Sequence, residues 1–275
     1  MSGAAFNTIA TLVRARSGIV LGEDKGYMLD TRLSGILREN RLSGLDALAA
    51  KLQGAGAEPL ARAVTEALTT NESSFFRDGK PFDHLRGVLP KLAAARPAGQ
   101  RLRIWSAACS TGQEAYSVAM ILSDLAGQLG GRPAEILGTD LSRDVVARAQ
   151  EGLFTQFEVQ RGLPIQMLVK HFRQEGTRWQ VSPALRASVR FEQGNLLDSH
   201  AGRGSFDVIF CRNVLIYFDA PTKRRVLEAL ADRLLPDGVL YLGGAETVLG
   251  ITDRLVPVAG ERGPHVLRGR VGGAG

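Results

Sequence analysis

Several residue types and patterns that define whole protein classes are scarce or missing in this sequence. It holds only two cysteines, Cys109 and Cys211, which favours buried free thiols in a reducing compartment over a disulfide framework. Its four histidines lack the spacing of metal ligands and no Cys/His cluster exists, so we expect no metal. No apolar run reaches the ~20 residues that cross a bilayer, and the first residues lack the pattern of a signal peptide. We therefore expect a cytoplasmic protein without membrane insertion.

Also missing is any block of lysine and arginine interleaved with aromatic residues. We therefore expect no nucleic-acid partner. The formal net charge is nevertheless +6 at pH 7, which permits nucleic acid, an anionic membrane surface or an acidic protein as a partner. The alternative is that the charge is only a general property of a basic protein.

The first part of the chain has the apolar periodicity of helices. We predict helices over 6–16, 25–40 (capped by Asp24), 45–52 and 60–68, a polar loop over 69–80 and a further helix over 81–96. Beyond residue 100, apolar runs typical of strands alternate with helical segments. The predicted strands are 102–108, 134–139, 188–192, 206–211 and 238–243, and the predicted helices are 113–129, 142–151 and 221–234. This alternation predicts a mostly parallel sheet with helices on both faces.

Two segments stand apart in this pattern. Residues 234–238, LLPDG, are interpreted as the turn between the last helix and the last strand. Residues 152–187 interrupt the alternation, and we interpret them as a small antiparallel insertion with a short helix at 164–169 and a turn at 175–178. An insertion of this kind often carries a partner surface. The alternative is a loop that only packs against the edge of the sheet.

Residues 101–116, RLRIWSAACSTGQEAY, predict a strand, a turn of small residues and the start of a helix. That geometry receives nucleotide-like ligands in doubly wound sheets. The G-x-G-x-x-G pattern of dinucleotide enzymes is absent. The acidic-x-G-x-G-x-G pattern of S-adenosylmethionine (SAM) methyltransferases is matched only by its last glycine, because Ser106, Ala108, Ser110 and Gly112 occupy the corresponding positions. Glu114, in the first helical turn, could supply the acidic group.

Polar residues follow the other predicted strands at the same edge of the sheet. Asp140 ends the second strand, where a carboxylate can accept hydrogen bonds from ribose hydroxyls; the alternative is a helix N-cap. Asn195 could pair with adenine while Leu196 covers the face of the base; the alternative for Asn195 is a turn residue. Arg212 and Asn213 follow an apolar strand and, if buried, need polar partners.

Five segments in order resemble the chemotaxis receptor glutamate methyltransferases, the CheR family. They are Thr70–Arg77 (TNESSFFR), Ile104–Ser117 (IWSAACSTGQEAYS), Gly138–Ser142 (GTDLS), Gly194–Leu197 (GNLL) and Phe210–Phe218 (FCRNVLIYF). The resemblance implies an α/β fold of the class I methyltransferase type, Rossmann-like with a mostly parallel sheet. It also implies an N-terminal helical domain with linker over 1–80, a SAM-dependent methyltransferase domain over 81–275, and a β-subdomain inserted at 152–187.

The resemblance also implies the chemistry. A glutamate of a chemoreceptor would attack the methyl group of SAM and leave S-adenosylhomocysteine (SAH), with no metal and no general base. The implied cofactor contacts are Asn71, Ser73, Arg77, Glu114, Asp140, Asn195, Leu196, Arg212 and Asn213. Arg77 and Tyr217 are the candidate catalytic residues, although a structural salt bridge for Arg77 and core packing for Tyr217 are the alternatives. Phe75 and Phe76 are expected to wall the cleft rather than stack on a specific partner.

The implied partner is the cytoplasmic helical domain of a methyl-accepting chemoreceptor, met by a monomeric enzyme. Some family members recognise a receptor C-terminal pentapeptide through the β-subdomain, but the turn at 172–179 is short beside theirs, which favours direct docking of the helical domain. The candidate contacts are Lys25, Arg32, Arg38 and Arg41; a solvated helix face is the alternative. Two other functions stay open: methylation of RNA or a small molecule, and a non-catalytic scaffold that binds SAM or SAH.

Overall fold

A computed structural model describes residues 1–22 and 26–269. The predicted cap Asp24, the candidate receptor contact Lys25 and the end of the chain after Gly269 lie outside the described residues. Contacts divide the chain into two compact units, residues 1–70 with 217–222, and residues 71–216 with 223–275. Within the described residues, no helix is both long and apolar enough to cross a membrane.

The first unit is helical, as the periodicity predicted. Its helices are α1 (Gly3–Ser17), α2 (Gly26–Glu39), α3 (Leu45–Leu52) and α4 (Glu58–Ala67). Helix α1 ends where Gly18 adopts φ 80°, a left-handed conformation that glycine reaches without strain. Apolar residues at helical spacing build the core of this unit, among them Ile9, Val13, Leu29 and Leu33. Helix α4 begins at Glu58, two residues before the predicted start, with Pro59 in its first turn, where proline is tolerated.

The second unit holds the predicted sheet. After α5 (Lys80–Ala95), the alternating elements are β1 (Leu102–Ala107), α6 (Gln113–Asp124), β2 (Ala134–Asp140), α7 (Arg143–Glu151), β6 (Val189–Gln193), β7 (Phe206–Cys211), α11 (Ala220–Ala231) and β8 (Leu234–Leu242). The chain ends in β9 (Leu255–Pro257) and β10 (Pro264–Leu267). The strand order is β6-β2-β1-β7-β8-β10-β9. Strands β6, β2, β1, β7 and β8 pair in parallel, and β10 pairs antiparallel with both β8 and β9.

This strand order predicts a ligand site beyond the carboxyl ends of the central strands. The chain runs outward from β1 to β2 and β6 on one side, and later to β7 and β8 on the other. In open α/β sheets, ligands bind beyond the carboxyl ends of the strands at the point where the order reverses. Here that point lies between β1 and β7, where Ala107 pairs with Cys211.

The predicted insertion is present between α7 and β6. It contains β3 (Leu153–Thr155), α8 (Gln156–Gln160), α9 (Ile165–His171), β4 (Phe172–Glu175), β5 (Arg178–Val181) and α10 (Pro183–Ala187). The strands form an antiparallel sheet in the order β3-β5-β4. Thr155 and Glu158 form a capping box at the start of α8, which fixes how the chain enters this helix.

Two secondary-structure predictions were wrong, and two strands were missed. Helix α6 ends at Asp124 rather than at residue 129, since the following segment AGQLGG is rich in glycine, a poor helix former. The predicted LLPDG turn belongs to β8: Leu234 pairs with Phe206, and a register shift follows before Val239 pairs with Val208. That irregularity accommodates Pro236 within the strand. Strands β9 and β10 were not predicted.

Candidate functional site

The turn after β1 has a strained backbone that its neighbours hold in place. Ala108 and Ser110 adopt φ of 62° and 50°, and Gly112 adopts 94°. Non-glycine residues pay free energy for such angles, and the conformation persists only where surrounding contacts impose it. Those contacts are present, because the Cys109 N–H donates to the Thr139 oxygen (2.9 Å) and the Ser110 hydroxyl donates to the Asn71 oxygen (2.7 Å). The hydrogen bonds to Thr139 of β2 and to Asn71 therefore hold the turn in this strained conformation.

Asp140 links this turn to the end of β2. Its Oδ2 accepts from the Ser110 N–H (2.8 Å) and its Oδ1 accepts from the Ser142 N–H (3.1 Å). The N-cap position of α7 is occupied by Ser142, so Asp140 is not the N-cap that we had considered as an alternative. A carboxylate can accept more than two hydrogen bonds, and these two come from the backbone. Ribose binding by Asp140 remains a prediction.

A buried charge network joins the start of α6 to the end of β7. The Glu114 Oε1 accepts from the Ser106 hydroxyl (2.7 Å), and its Oε2 lies 3.2 Å from the Arg212 Nη1. The Arg212 side chain is only 2% exposed. Burial raises the pKa of the Glu114 carboxyl above its ordinary value, while the Arg212 guanidinium and the Ser106 hydroxyl act in the opposite direction. The fold thus buries the Glu114 carboxylate and the Arg212 guanidinium together, and each charge compensates the other.

Arg212 also fixes the polar loop that precedes α5. Its Nη2 donates to the Arg77 oxygen (2.9 Å) and to the Asp78 Oδ2 (2.7 Å). Phe76 and Asp78 adopt φ of 46° and 68°, so this loop also stores strain. The Phe76 N–H donates to the Ser117 hydroxyl on α6 (3.0 Å). The loop is consequently attached to both the sheet edge and helix α6.

Other predicted site residues have local roles that the structure makes visible. The Asn195 Oδ1 accepts from the Leu197 N–H (3.0 Å), the turn geometry that was our alternative for this residue. Leu196 beside it is buried, and Ser73 is half-buried in the 71–77 loop. Asn213 adopts φ 58°, and its N–H donates to the Glu246 Oε2 (2.9 Å). Their predicted contacts with a cofactor stay predictions.

Three residues that hold the site together escaped the sequence reasoning. Glu246 accepts backbone hydrogen bonds from Gly243, Asn213, Val214 and Leu215 (2.6–2.9 Å), and so fixes the ends of β7 and β8. Asp78 and Ser117 hold the 71–77 loop, as described above. An acidic residue just after the apolar strand β8 was a signal for Glu246, since carboxylates at sheet edges collect unpaired N–H groups. Nothing in the sequence pointed to Ser117.

The structure contradicts the expectation that Phe75 and Phe76 lack specific ring partners, whereas the expectation for the cysteines is confirmed. The ring centroid of Phe76 lies 5.4 Å from that of Phe82, edge-to-face. Phe75 has specific ring partners: its centroid lies 5.0 Å from that of Phe154 and 5.6 Å from that of Phe172, both edge-to-face. Cys109 and Cys211 are both free and buried, and burial raises the pKa of each thiol. Tyr217 is grouped with the helical unit, and its predicted catalytic role stays a prediction.

Two family models match the chain in sequence. "CheR methyltransferase, all-alpha domain" matches residues 4–69, and "CheR methyltransferase, SAM binding domain" matches residues 71–263. The cofactor is therefore SAM, and the residues at the sheet edge fit it. The small side chains of Ala108 and Ser110 leave the backbone of the turn accessible at close range. The Arg212 Nε is buried without a hydrogen-bond partner among the described residues, a donor suited to an acceptor group of a ligand.

Proteins from several bacteria match over most of their length. The chain is 39% identical over 254 residues to chemotaxis protein methyltransferase Cher2 of Pseudomonas putida, covering 90% of this chain and 92% of that protein. It is 40% identical over 258 residues to chemotaxis protein methyltransferase 1 of Pseudomonas aeruginosa, covering 92% and 93%. For the chemotaxis protein methyltransferase of Vibrio parahaemolyticus the identity is 36%, with the same coverage. These matches, with the sheet, the insertion and the buried site described above, show that the chain belongs to the CheR family of SAM-dependent chemotaxis methyltransferases.

Proposed function

We propose that this protein transfers the methyl group of SAM to glutamate side chains of chemoreceptors, forming methyl esters for sensory adaptation. The observation that carries the proposal is the match of both family models in order along the chain, since relatives that match over the whole length are named chemotaxis protein methyltransferases. We propose a cytoplasmic monomer as the working form. We keep the domain bounds 1–80 and 81–275, with the β-subdomain at 152–187, as a proposal, next to the contact-based division near Thr70.

The proposed chemistry asks little of acid or base groups. SAM, when bound, supplies an activated methyl group; a new bond forms from carboxylate oxygen to methyl carbon while the sulfur–carbon bond breaks. A glutamate has a reference pKa of about 4.3, so it is already anionic at pH 7 and needs no general base. The protein then contributes chiefly by holding two reactants in register, which can lower a barrier by ~7–11 kcal/mol.

We propose Arg77 as the residue that steers a carboxylate, either of the cofactor or of the receptor glutamate. Its Nη1 donates to the Glu72 oxygen (3.1 Å), and a guanidinium carries five N–H donors in a planar fork that matches carboxylates. Its backbone is fixed by Arg212, so the start of its side chain is well positioned. Tyr217 remains the second proposed catalytic residue.

The proposed cofactor contacts fall into two linked groups. Asn71 and Asp140 form one group, because each makes a hydrogen bond with Ser110 in the β1 turn. Arg77, Glu114 and Arg212 form the other, because the Arg212 guanidinium lies beside Glu114 and donates to the Arg77 oxygen. The remaining proposed contacts are Ser73, Asn195, Leu196 and Asn213. Asp140 would accept hydrogen bonds from the ribose hydroxyls. The group formed by Arg77, Glu114 and Arg212 would bind the charged end of the cofactor.

For the receptor contact we propose the exposed arginines of the helical unit. Arg38 and Arg41 are exposed, whereas Arg32 is engaged within the unit, where its guanidinium donates to the Leu68, Thr69 and Thr70 oxygens. We therefore withdraw Arg32 as a receptor contact. Reversal of charge at both Arg38 and Arg41 should slow receptor methylation, with a weaker dependence on salt than in the wild type, and leave the Kd for SAH unchanged. A matching loss of receptor methylation and of affinity for SAH would contradict this docking surface.

The proposed reaction has a direct chemical signature. Receptor-bearing membranes are incubated with SAM labelled in its methyl group, treated with mild base and assayed for volatile label. Carboxyl methyl esters release methanol under these conditions, whereas methylated bases and amines do not. Volatile label supports glutamate esterification. Base-stable label would favour methylation of RNA or a small molecule, and binding of SAM without any turnover would favour a signalling scaffold.

A further inference from the structure

The inserted sheet holds a residue of the 71–77 loop in its core. Phe75 is fully buried, with its ring against Phe154 of β3 and Phe172 of β4. Phe154 in turn contacts Tyr116 of α6 at a centroid distance of 6.1 Å. Edge-to-face aromatic pairs have defined geometry and add to burial. The loop that precedes α5 is thus anchored in the insertion by its most apolar side chain.

A glycine of the insertion approaches the backbone of the same loop. Gly162 lies in the connection between α8 and α9 and adopts φ 83°. A Cβ atom added at this position would lie 2.1 Å from the Phe75 carbonyl oxygen, far inside van der Waals contact. Because the obstructing atom belongs to the backbone, no side-chain rotation can relieve the clash. Only glycine allows the loop and the insertion to come this close.

An ion pair joins the same two segments. The Arg161 Nη2 lies 2.8 Å from the Glu72 Oε1, and this guanidinium lowers the pKa of the Glu72 carboxyl. Both side chains are largely exposed, so the pair contributes little free energy. It does restrict where Glu72 lies. Three consecutive kinds of contact (ion pair, backbone approach and buried ring) therefore run along residues 72–75.

We propose that the inserted subdomain, residues 152–187, positions the 71–77 loop, with Gly162 and Phe75 as positioning residues for SAM binding and methyl transfer. The inference rests on the proposed assignment of Asn71–Arg77 to cofactor binding. The insertion holds the loop from one side, while Arg212 and Ser117 hold it from the other. A partner that displaces the α8–α9 connection would consequently change cofactor affinity, although it touches no cofactor contact.

A pair of glycine substitutions tests the proposal. Gly162→Ala strains a positive φ and clashes with the loop, whereas Gly176→Ala strains a positive φ of 59° in the β4–β5 hairpin with nothing within 4 Å of the new methyl group. Calorimetry should show the Kd for SAH raised about tenfold or more in Gly162→Ala and unchanged in Gly176→Ala. The kcat/KM for receptor methylation should fall by up to about 100-fold in the first variant only, as expected for a misplaced reactant.

Hydrogen exchange gives a readout that a merely structural role would not move. The Phe76 N–H, bonded to Ser117, should exchange faster in Gly162→Ala, while the amides of β1 and β7 stay as protected as in the wild type. Phe154→Leu removes the ring that packs against Phe75 and leaves the sequence of the 71–77 loop unchanged. It should also raise the Kd for SAH. It serves as the second test if Gly162→Ala fails to fold.

The outcomes separate the two proposals. A wild-type protein that binds SAH while Ser73→Ala and Arg77→Ala both bind it equally well would overturn the assignment of the loop to cofactor binding. Loss of affinity in either of these two variants, with the same Kd for Gly162→Ala as for Gly176→Ala and no change in Phe154→Leu, would overturn the positioning role of the insertion alone.

Discussion

Removal of the buried guanidinium of Arg212 should destabilise the protein in a pH-dependent way. Arg212→Met keeps most of the side-chain length and deletes the charge that faces Glu114 at 3.2 Å. Coulomb's law at that separation and an effective dielectric constant of about 20 gives an attraction of about 5 kcal/mol. Breaking a buried pair from one side typically costs about 3–5 kcal/mol, because the other charge stays buried without compensation. We expect a loss of that size in the free energy of unfolding at pH 8.

The loss should shrink in acid. Without Arg212, the pKa of Glu114, already raised by burial, rises further above its unfolded value of about 4.3. The folded state then binds a proton more tightly than the unfolded state, so stability falls as pH rises from about 4.3 through the folded pKa. Below that range Glu114 is neutral in both states, so its share of the penalty is absent, while the loss of the Arg212 bonds to Asp78 and to the Arg77 oxygen persists. The difference between variant and wild type should therefore be clearly smaller at pH 5 than at pH 8.

Urea unfolding at both pH values, with midpoints and slopes compared between variant and wild type, measures this difference. Glu114→Gln in the Arg212→Met background removes the carboxylate that has lost its partner. It should abolish the pH dependence that this carboxylate gives to the free energy of unfolding. Arg190→Met is a matched control, since this arginine is 60% exposed and pairs with Glu192 at 2.9 Å, and it should cost less than about 1 kcal/mol. An Arg212→Met penalty that is the same at pH 5 and pH 8 would refute the account of the buried pair.

Two further substitutions test the edge of the sheet. Asp140→Asn should raise the Kd for SAH by about tenfold or more, because it removes a charged acceptor that also fixes Ser110. Asp144→Asn, at an exposed position of α7, should leave the calorimetric Kd unchanged. Gly243→Ala would place a methyl group 2.8 Å from both the side-chain Nδ2 of Asn213 and the Glu246 Oε2. It should therefore lower kcat/KM for methylation by about tenfold or more. Wild-type kinetics in this variant would contradict the proposed role of Asn213.

The arrangement of the sheet edge followed from the sequence because parallel strands bring their carboxyl ends together. The sequence therefore predicted that the small-residue turn after β1 and Asp140 at the end of β2 lie in one site. Glu114 could be placed there too, since it opens the helix that follows the turn. Periodicity sufficed for the helical unit, whose core is built from residues at helical spacing.

The contacts that hold the site depend on residues far apart in the chain. Arg212 and Asp78 are separated by 134 positions, and neither sequence neighbourhood names the other. Phe75 looked like a cleft residue because its partners Phe154 and Phe172 sit in an insertion whose packing no local pattern encodes. The LLPDG segment was misread because Pro-Asp-Gly favours turns, whereas pairing of Leu234 with Phe206 drew it into the sheet.

The central claim is that a receptor glutamate receives the methyl group. The most direct measurement is tandem mass spectrometry of receptor peptides after incubation of the wild-type protein with SAM and chemoreceptors. We predict a mass gain of one methyl group located on glutamate side chains and lost again on mild base treatment. A methyl group located on any other residue type, or receptors left unmodified while SAM is consumed, would contradict the account.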